Sequence, residues 1–129
     1  MTPQLEEAQR LLALARSDRD AFQWMRQGPG IRPAAVFFFA QQSAEKALKA
    51  IMTIKGLVPG RTHNLLALAA EINSAGVVTP RTPEALAVLN PYAVTFRYDD
   101  EDIVLVTPEQ ALDIVNALLV WAEGLIAAS

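Results

Sequence analysis

Between Phe38 and Ala50 the chain reads FFAQQSAEKALKA, two glutamines, a glutamate and two lysines set among alanines and aromatics. At 3.6 residues per turn, Phe38, Gln42, Glu45 and Lys49 fall close together on one side of a helix, and Gln41 stands four residues before Glu45. An amide, a carboxylate and an ammonium would then line a cleft together, with Lys46 beside them offering charge to a phosphate. The same spacing also describes a solvated face held by i,i+4 pairs, and spacing alone leaves both readings open.

Three other segments concentrate polar chemistry. His63 is the only imidazole and follows Arg61 and Thr62 at the entry of a leucine-rich helix, where free amides favour an anion. Arg61 and His63 would hold a phosphate there, or Thr62 or His63 would serve only as a cap. An unperturbed imidazole changes charge near neutrality, which makes acid–base work by His63 conceivable. Arg97-Tyr98 places a guanidinium where it would engage a carboxylate or phosphate in bidentate fashion, or pair with Glu45 inside the fold. Asp99-Asp100-Glu101-Asp102 lacks the spacing of a calcium loop and reads as a solvated connection, with no metal expected; Ile103 to Val106 after it would pack on the bundle.

A chain of 129 residues suffices for one domain with a real core, and we read residues 1–129 as a single domain. Ala and Leu dominate an apolar share of 52%, which favours an all-α fold. The formal charge of −3 argues against coating nucleic acid by charge alone, and leaves room for a local basic pocket. Without cysteine there are no disulfides, thiolate metal sites or cysteine nucleophiles, and one histidine rules out a multi-histidine metal site within a protomer. The start MTPQLEEAQR does not read as a signal peptide, and the apolar runs read as too short and interrupted to span a bilayer. The expectation is a soluble, cytoplasmic protein without a cofactor. No Walker loop, G-x-S-x-G elbow or H-E-x-x-H pair is present.

Thr-Pro pairs at Thr2-Pro3, Thr82-Pro83 and Thr107-Pro108 mark three helix starts, a side-chain cap followed by proline at the first helical position. Gln110 completes a capping box with Thr107. We expect helices from Pro3 to about Arg26, Pro33 to Lys55 with Gly56 as the stop, Asn64 to Ala75 closed by Gly76, and Pro108 to Ala127. A further helix should start near Pro83, kink or restart at Pro91 with Asn90 as its local cap, and continue to Tyr98. The apolar surface of the last helix is wide enough for burial on two sides. Up-and-down packing of about five helices is the economical architecture.

FFAQQSAEKALKA, the later Thr62-His63-Asn64-Leu65 with its leucine-rich helix, and Phe96-Arg97-Tyr98 together resemble the HEPN family, the higher eukaryote and prokaryote nucleotide-binding domain. The resemblance covers almost the whole chain. It implies an α-helical bundle similar to nucleotidyltransferase substrate-binding subunits, a homodimer, and a bacterial setting beside a minimal nucleotidyltransferase. It also implies that Gln42, Glu45, Lys49, His63, Arg97 and Tyr98 share a polar cleft. The family's metal-independent ribonucleases carry an Arg followed four to six residues later by His; here Arg61 is too close to His63, and no histidine follows Arg81 or Arg97.

The leading expectation is therefore a non-catalytic, dimeric module that binds a nucleotide or RNA and acts with a nucleotidyltransferase, as one half of a toxin–antitoxin pair. Lys46, Lys49, Arg61 and Arg97 would meet phosphate, and Tyr98 would stack on a base. The alternatives are a divergent ribonuclease using His63 with Arg61 or Arg97, and a structural interaction protein docking through the wide face of the last helix.

Overall fold

The computed structural model describes residues 1–93 and 106–129, all as helices and short connections. Five α-helices run Pro3–Met25 (α1), Pro33–Ile54 (α2), Leu65–Ser74 (α3), Pro83–Leu86 (α4) and Pro108–Ala127 (α5), with a 3₁₀ helix at Ala87–Tyr92 after α4. The fold is an all-α bundle.

Local signals set most of the boundaries. The hydroxyls of Thr2, Thr82 and Thr107 each accept the backbone amide three residues on, Leu5, Ala85 and Gln110, at 3.1 Å. Gln110 Oε1 accepts the Thr107 amide in return at 2.9 Å, completing the capping box. A fourth Thr-Pro, Thr79-Pro80, starts no helix because the buried Thr79 hydroxyl donates to the Arg81 carbonyl at 2.7 Å. At the other ends, Gly56 (φ 76) and Gly76 (φ 91) take the left-handed conformation that closes α2 and α3. The amides of Leu57 and Val77 then reach back to the carbonyls of Met52 and Ile72, each an apolar pair across a helix end.

Helices α1 and α2 share the most extensive interface, and α5 packs on both. Small residues permit close approach: Ala8 and Ala15 on α1 and Ala40, Ala44 and Ala47 on α2 are fully buried. The buried Ser43 hydroxyl donates to the Ala15 carbonyl at 2.7 Å, a polar tie between the two helices. Phe22, Phe37 and Tyr92 form an aromatic row with centroid distances of 5.9 and 5.0 Å, fastening α1, α2 and the 3₁₀ helix together.

Three expectations need correction. After the single turn of α4 the chain tightens into the 3₁₀ helix, which contains Pro91, rather than continuing as a kinked α-helix; the expected stretch from Val94 to Tyr98 lies outside the described residues. Helix α5 also proves long and apolar enough, by length and composition, to cross a membrane. Much of its apolarity belongs to one buried face, on which Ala111, Ile114, Val115, Leu118, Leu119, Ala122 and Ile126 recur at helical spacing and meet α1 and α2; Val120 on the opposite side is exposed, which corrects the expected burial on two sides. Its outer edge pairs with the bundle through Arg16 to Glu123, Arg26 to Glu109 and Arg81 to Asp113.

Candidate functional site

Gln41, Glu45 and Lys49 stand at i, i+4 and i+8 on α2, so the helix stacks their side chains in one line. Gln41 and Glu45 are buried, and a carboxylate at that depth persists only where donors surround it. Gln41 Nε2 donates to Glu45 Oε1 at 3.1 Å, and Lys49 Nζ donates to Oε2 at 3.2 Å. The third partner comes from another segment: His63 Nδ1 lies 2.8 Å from Glu45 Oε1. The His63 side chain is 59% exposed while that of Glu45 is 6% exposed, so the imidazole bridges a buried carboxylate and the surface.

The loop that delivers His63 is held at several points. Its carbonyl accepts Gln41 Nε2 at 3.0 Å, so one amide grips both the carboxylate and the loop. The next residue, Asn64, caps α3 by accepting the amides of Leu66 and Ala67 at 3.0 and 3.3 Å. Asn90 on the 3₁₀ helix accepts the Leu65 amide at 2.8 Å and donates to Asn64 Oδ1 at 2.9 Å. The free amides expected at this helix start are thus already satisfied, which removes them as donors to an anion there. Neither Thr62 nor His63 is the cap. Asn90 likewise caps α3 across the fold rather than a local restart at Pro91.

Of the residues expected at the site, the structure brings together Glu45, Lys49 and His63. Gln42 sits beside them, half-buried, and donates to Gln41 Oε1 at 2.8 Å. Lys46 turns toward α1 and pairs with Asp18. Arg61, two positions before His63, is exposed and makes no ion pair with a described residue. Arg97, Tyr98 and the acidic run Asp99 to Asp102 lie outside the described residues, as does Ile103 to Leu105. Among the described residues, the partners of Glu45 are therefore Gln41, Lys49 and His63. No group of three or more His, Asp or Glu side chains among them could hold a metal ion.

Sequence reasoning left Gln41, Asn64 and Asn90 out of the site. Gln41 carried a usable signal, the i,i+4 spacing to Glu45, but nothing local told which of two adjacent glutamines faces inward. Chemically, the arrangement is a buried carboxylate that orients an exposed imidazole, with an ammonium balancing its charge.

No curated protein and no solved structure matches the chain. The HEPN domain family matches over residues 5–124, which takes in most of α1, all of α2, the Glu45 cluster, the His63 loop and most of α5. By that match over nearly its whole length, and with the all-helical bundle to go with it, the chain belongs to the HEPN domain family.

Proposed function

We propose that this HEPN protein is a dimeric, non-catalytic module that binds a nucleotide or an RNA segment and acts with a minimal nucleotidyltransferase, as one half of a toxin–antitoxin pair. The observation that carries the binding reading is the His63 imidazole held on buried Glu45, two positions after the exposed Arg61. A side chain fixed by a buried partner is preorganised, so little conformational entropy is lost when a ligand meets it. Lys49 and Lys46 act within the fold, neutralising Glu45 and Asp18, while Arg61 supplies the exposed charge for phosphate. Dimerisation, the nucleotidyltransferase partner and the toxin–antitoxin pairing are carried over from what the resemblance to the family implies.

Calorimetry with a broad nucleotide panel tests the binding reading. Wild type should bind at least one nucleotide, Arg61→Ala should weaken that binding about tenfold, the equivalent of one charge-assisted contact, and absence of binding across the panel would count decisively against the site.

The contact of His63 with Glu45 also favours a second reading, a divergent ribonuclease, because a carboxylate-oriented imidazole is the arrangement general-base catalysis uses. An RNA cleavage assay separates the two: activity that disappears in His63→Ala supports the enzyme, and activity that survives rules out that mechanism.

A further inference from the structure

We infer that the chain dimerises by exchanging tryptophans, Trp24 of each protomer seating in an apolar cavity at the same end of a second copy. The exchange rests on the dimeric reading above and gives that dimer its interface.

Trp24 stands in the last turn of α1, and at 81% exposure it is the bulkiest of the strongly exposed apolar side chains among the described residues. One exposed apolar residue is ordinary by itself. What sets Trp24 apart is the residue that follows it. Met25 forms one wall of a cavity of about 200 Å³, whose other walls include Ile31, Pro33, Val36, Phe37 and Pro108. The end of α1, the start of α2 and the start of α5 meet there. A Cβ on Gly28 would lie 3.2 Å from Ile31 Cδ1, so the bare glycine lets Ile31 close its side of the cavity. A dry apolar cavity of about 150 Å³ takes benzene. The larger volume here has room for much of an indole.

Trp24 is exposed, so it does not fill the cavity of its own chain. Knob and socket are neighbours in sequence, and that points to a second copy as the occupant. A two-fold axis puts the same patch on both sides of an interface. A patch that carries both the side chain to be buried and the hollow that buries it is complete with a copy of itself, and the contact closes at two chains. The charges agree: Arg26 pairs with Glu109 at 2.6 Å and Arg19 with Asp20 at 3.0 Å, so the surroundings of Trp24 carry both signs. Such a patch can set opposite charges side by side across the axis, whereas a phosphate-rich partner would meet the largely exposed carboxylates of Asp20 and Glu109. Tryptophan is also among the side chains that anchor interfaces when a pocket desolvates them.

Sedimentation equilibrium on the intact chain tests the exchange, with circular dichroism to confirm that each variant is folded. Wild type should dimerise. Trp24→Ala removes an exposed side chain and should stay folded while its dimer dissociation constant rises about a hundredfold or more, since two interface anchors are lost at once. Ile31→Glu puts a charge on the socket wall and should act alike. Trp24→Ala keeps the socket and Ile31→Glu keeps the knob, so an equimolar mixture should recover association through one intact seat where neither variant associates alone. A Trp24→Ala dimer as tight as wild type, or a mixture that stays monomeric, overturns the exchange and leaves the dimeric reading standing. Indole probes the other kind of occupant: if it enters the cavity of the wild-type dimer as readily as that of Trp24→Ala, read on the Val36 methyl signals, the cavity is open and the exchange is overturned. Wild type that stays monomeric at every concentration overturns both.

Discussion

Asn90 and Asn64 hold each other across 26 positions of chain, with Asn90 Nδ2 donating to Asn64 Oδ1 at 2.9 Å while Asn90 Oδ1 accepts the Leu65 amide at 2.8 Å. The pair fastens the start of α3 to the 3₁₀ helix, and the residue ahead of Asn64 is His63. Asn90→Ala removes one partner and leaves the Leu65 amide without its acceptor. We expect a loss of roughly 1–3 kcal/mol, the cost of an unsatisfied or uncapped helix amide. Urea denaturation at unchanged m-value measures it.

Glu45→Ala should cost more. It leaves the Lys49 ammonium, whose side chain is only 15% exposed, without its acceptor and takes one of the two acceptors of the buried Gln41 amide, which keeps only the His63 carbonyl. Breaking such a pair costs on the order of 3 kcal/mol. Glu45→Gln keeps an acceptor oxygen and should lose less, so the order of the two unfolding midpoints checks the account.

Ser43→Ala should cost about 1 kcal/mol by deleting the hydroxyl that ties α2 to the Ala15 carbonyl. Ala44→Leu, at a fully buried position in the core, should cost about 1–3 kcal/mol through overpacking. Thermal unfolding of the two variants separates a lost hydrogen bond from a forced repacking, because only the second should also broaden the side-chain NMR signals of α2.

The Glu7–Arg10 pair gives the opposite expectation. The Arg10 guanidinium hydrogen-bonds the Glu7 carboxylate at 2.6 Å and holds its pKa below the usual glutamate value. A depressed folded pKa stabilises above the unfolded value and is lost as the pH falls through the folded one. Both groups are exposed, however, and solvent screens the pair. Glu7→Gln should leave the urea midpoint unchanged within error at neutral pH, and a clear loss would show that the exposed pair matters more than its surroundings allow.

What could be read from the chain divides along the range of the interactions. Thr2, Thr82 and Thr107 are caps because hydroxyl and amide lie three residues apart, and Gly56 and Gly76 end helices through their own φ angles. Those signals are local and were legible. Helix α5 was bounded correctly for the same reason. Glu45 and Lys49 were visible as an i,i+4 pair, but the choice of Gln41 over Gln42 depends on a loop 22 positions away. Asn90 carries the residue type of a local cap, yet its partner is a helix that precedes it. Lys46 presented itself as a phosphate contact until α1 brought Asp18 to it. Each of these depends on tertiary placement, which periodicity does not encode.

The central claim is that the surface built by the His63 loop on buried Glu45 binds a nucleotide, and amide NMR of the intact protein during nucleotide titration tests it most directly. The account predicts saturable shifts concentrated on Arg61 to Leu65 and on Gln41 to Lys49, abolished in His63→Ala with the bundle still folded. Shifts confined to other parts of the bundle, or none with any nucleotide, would contradict it.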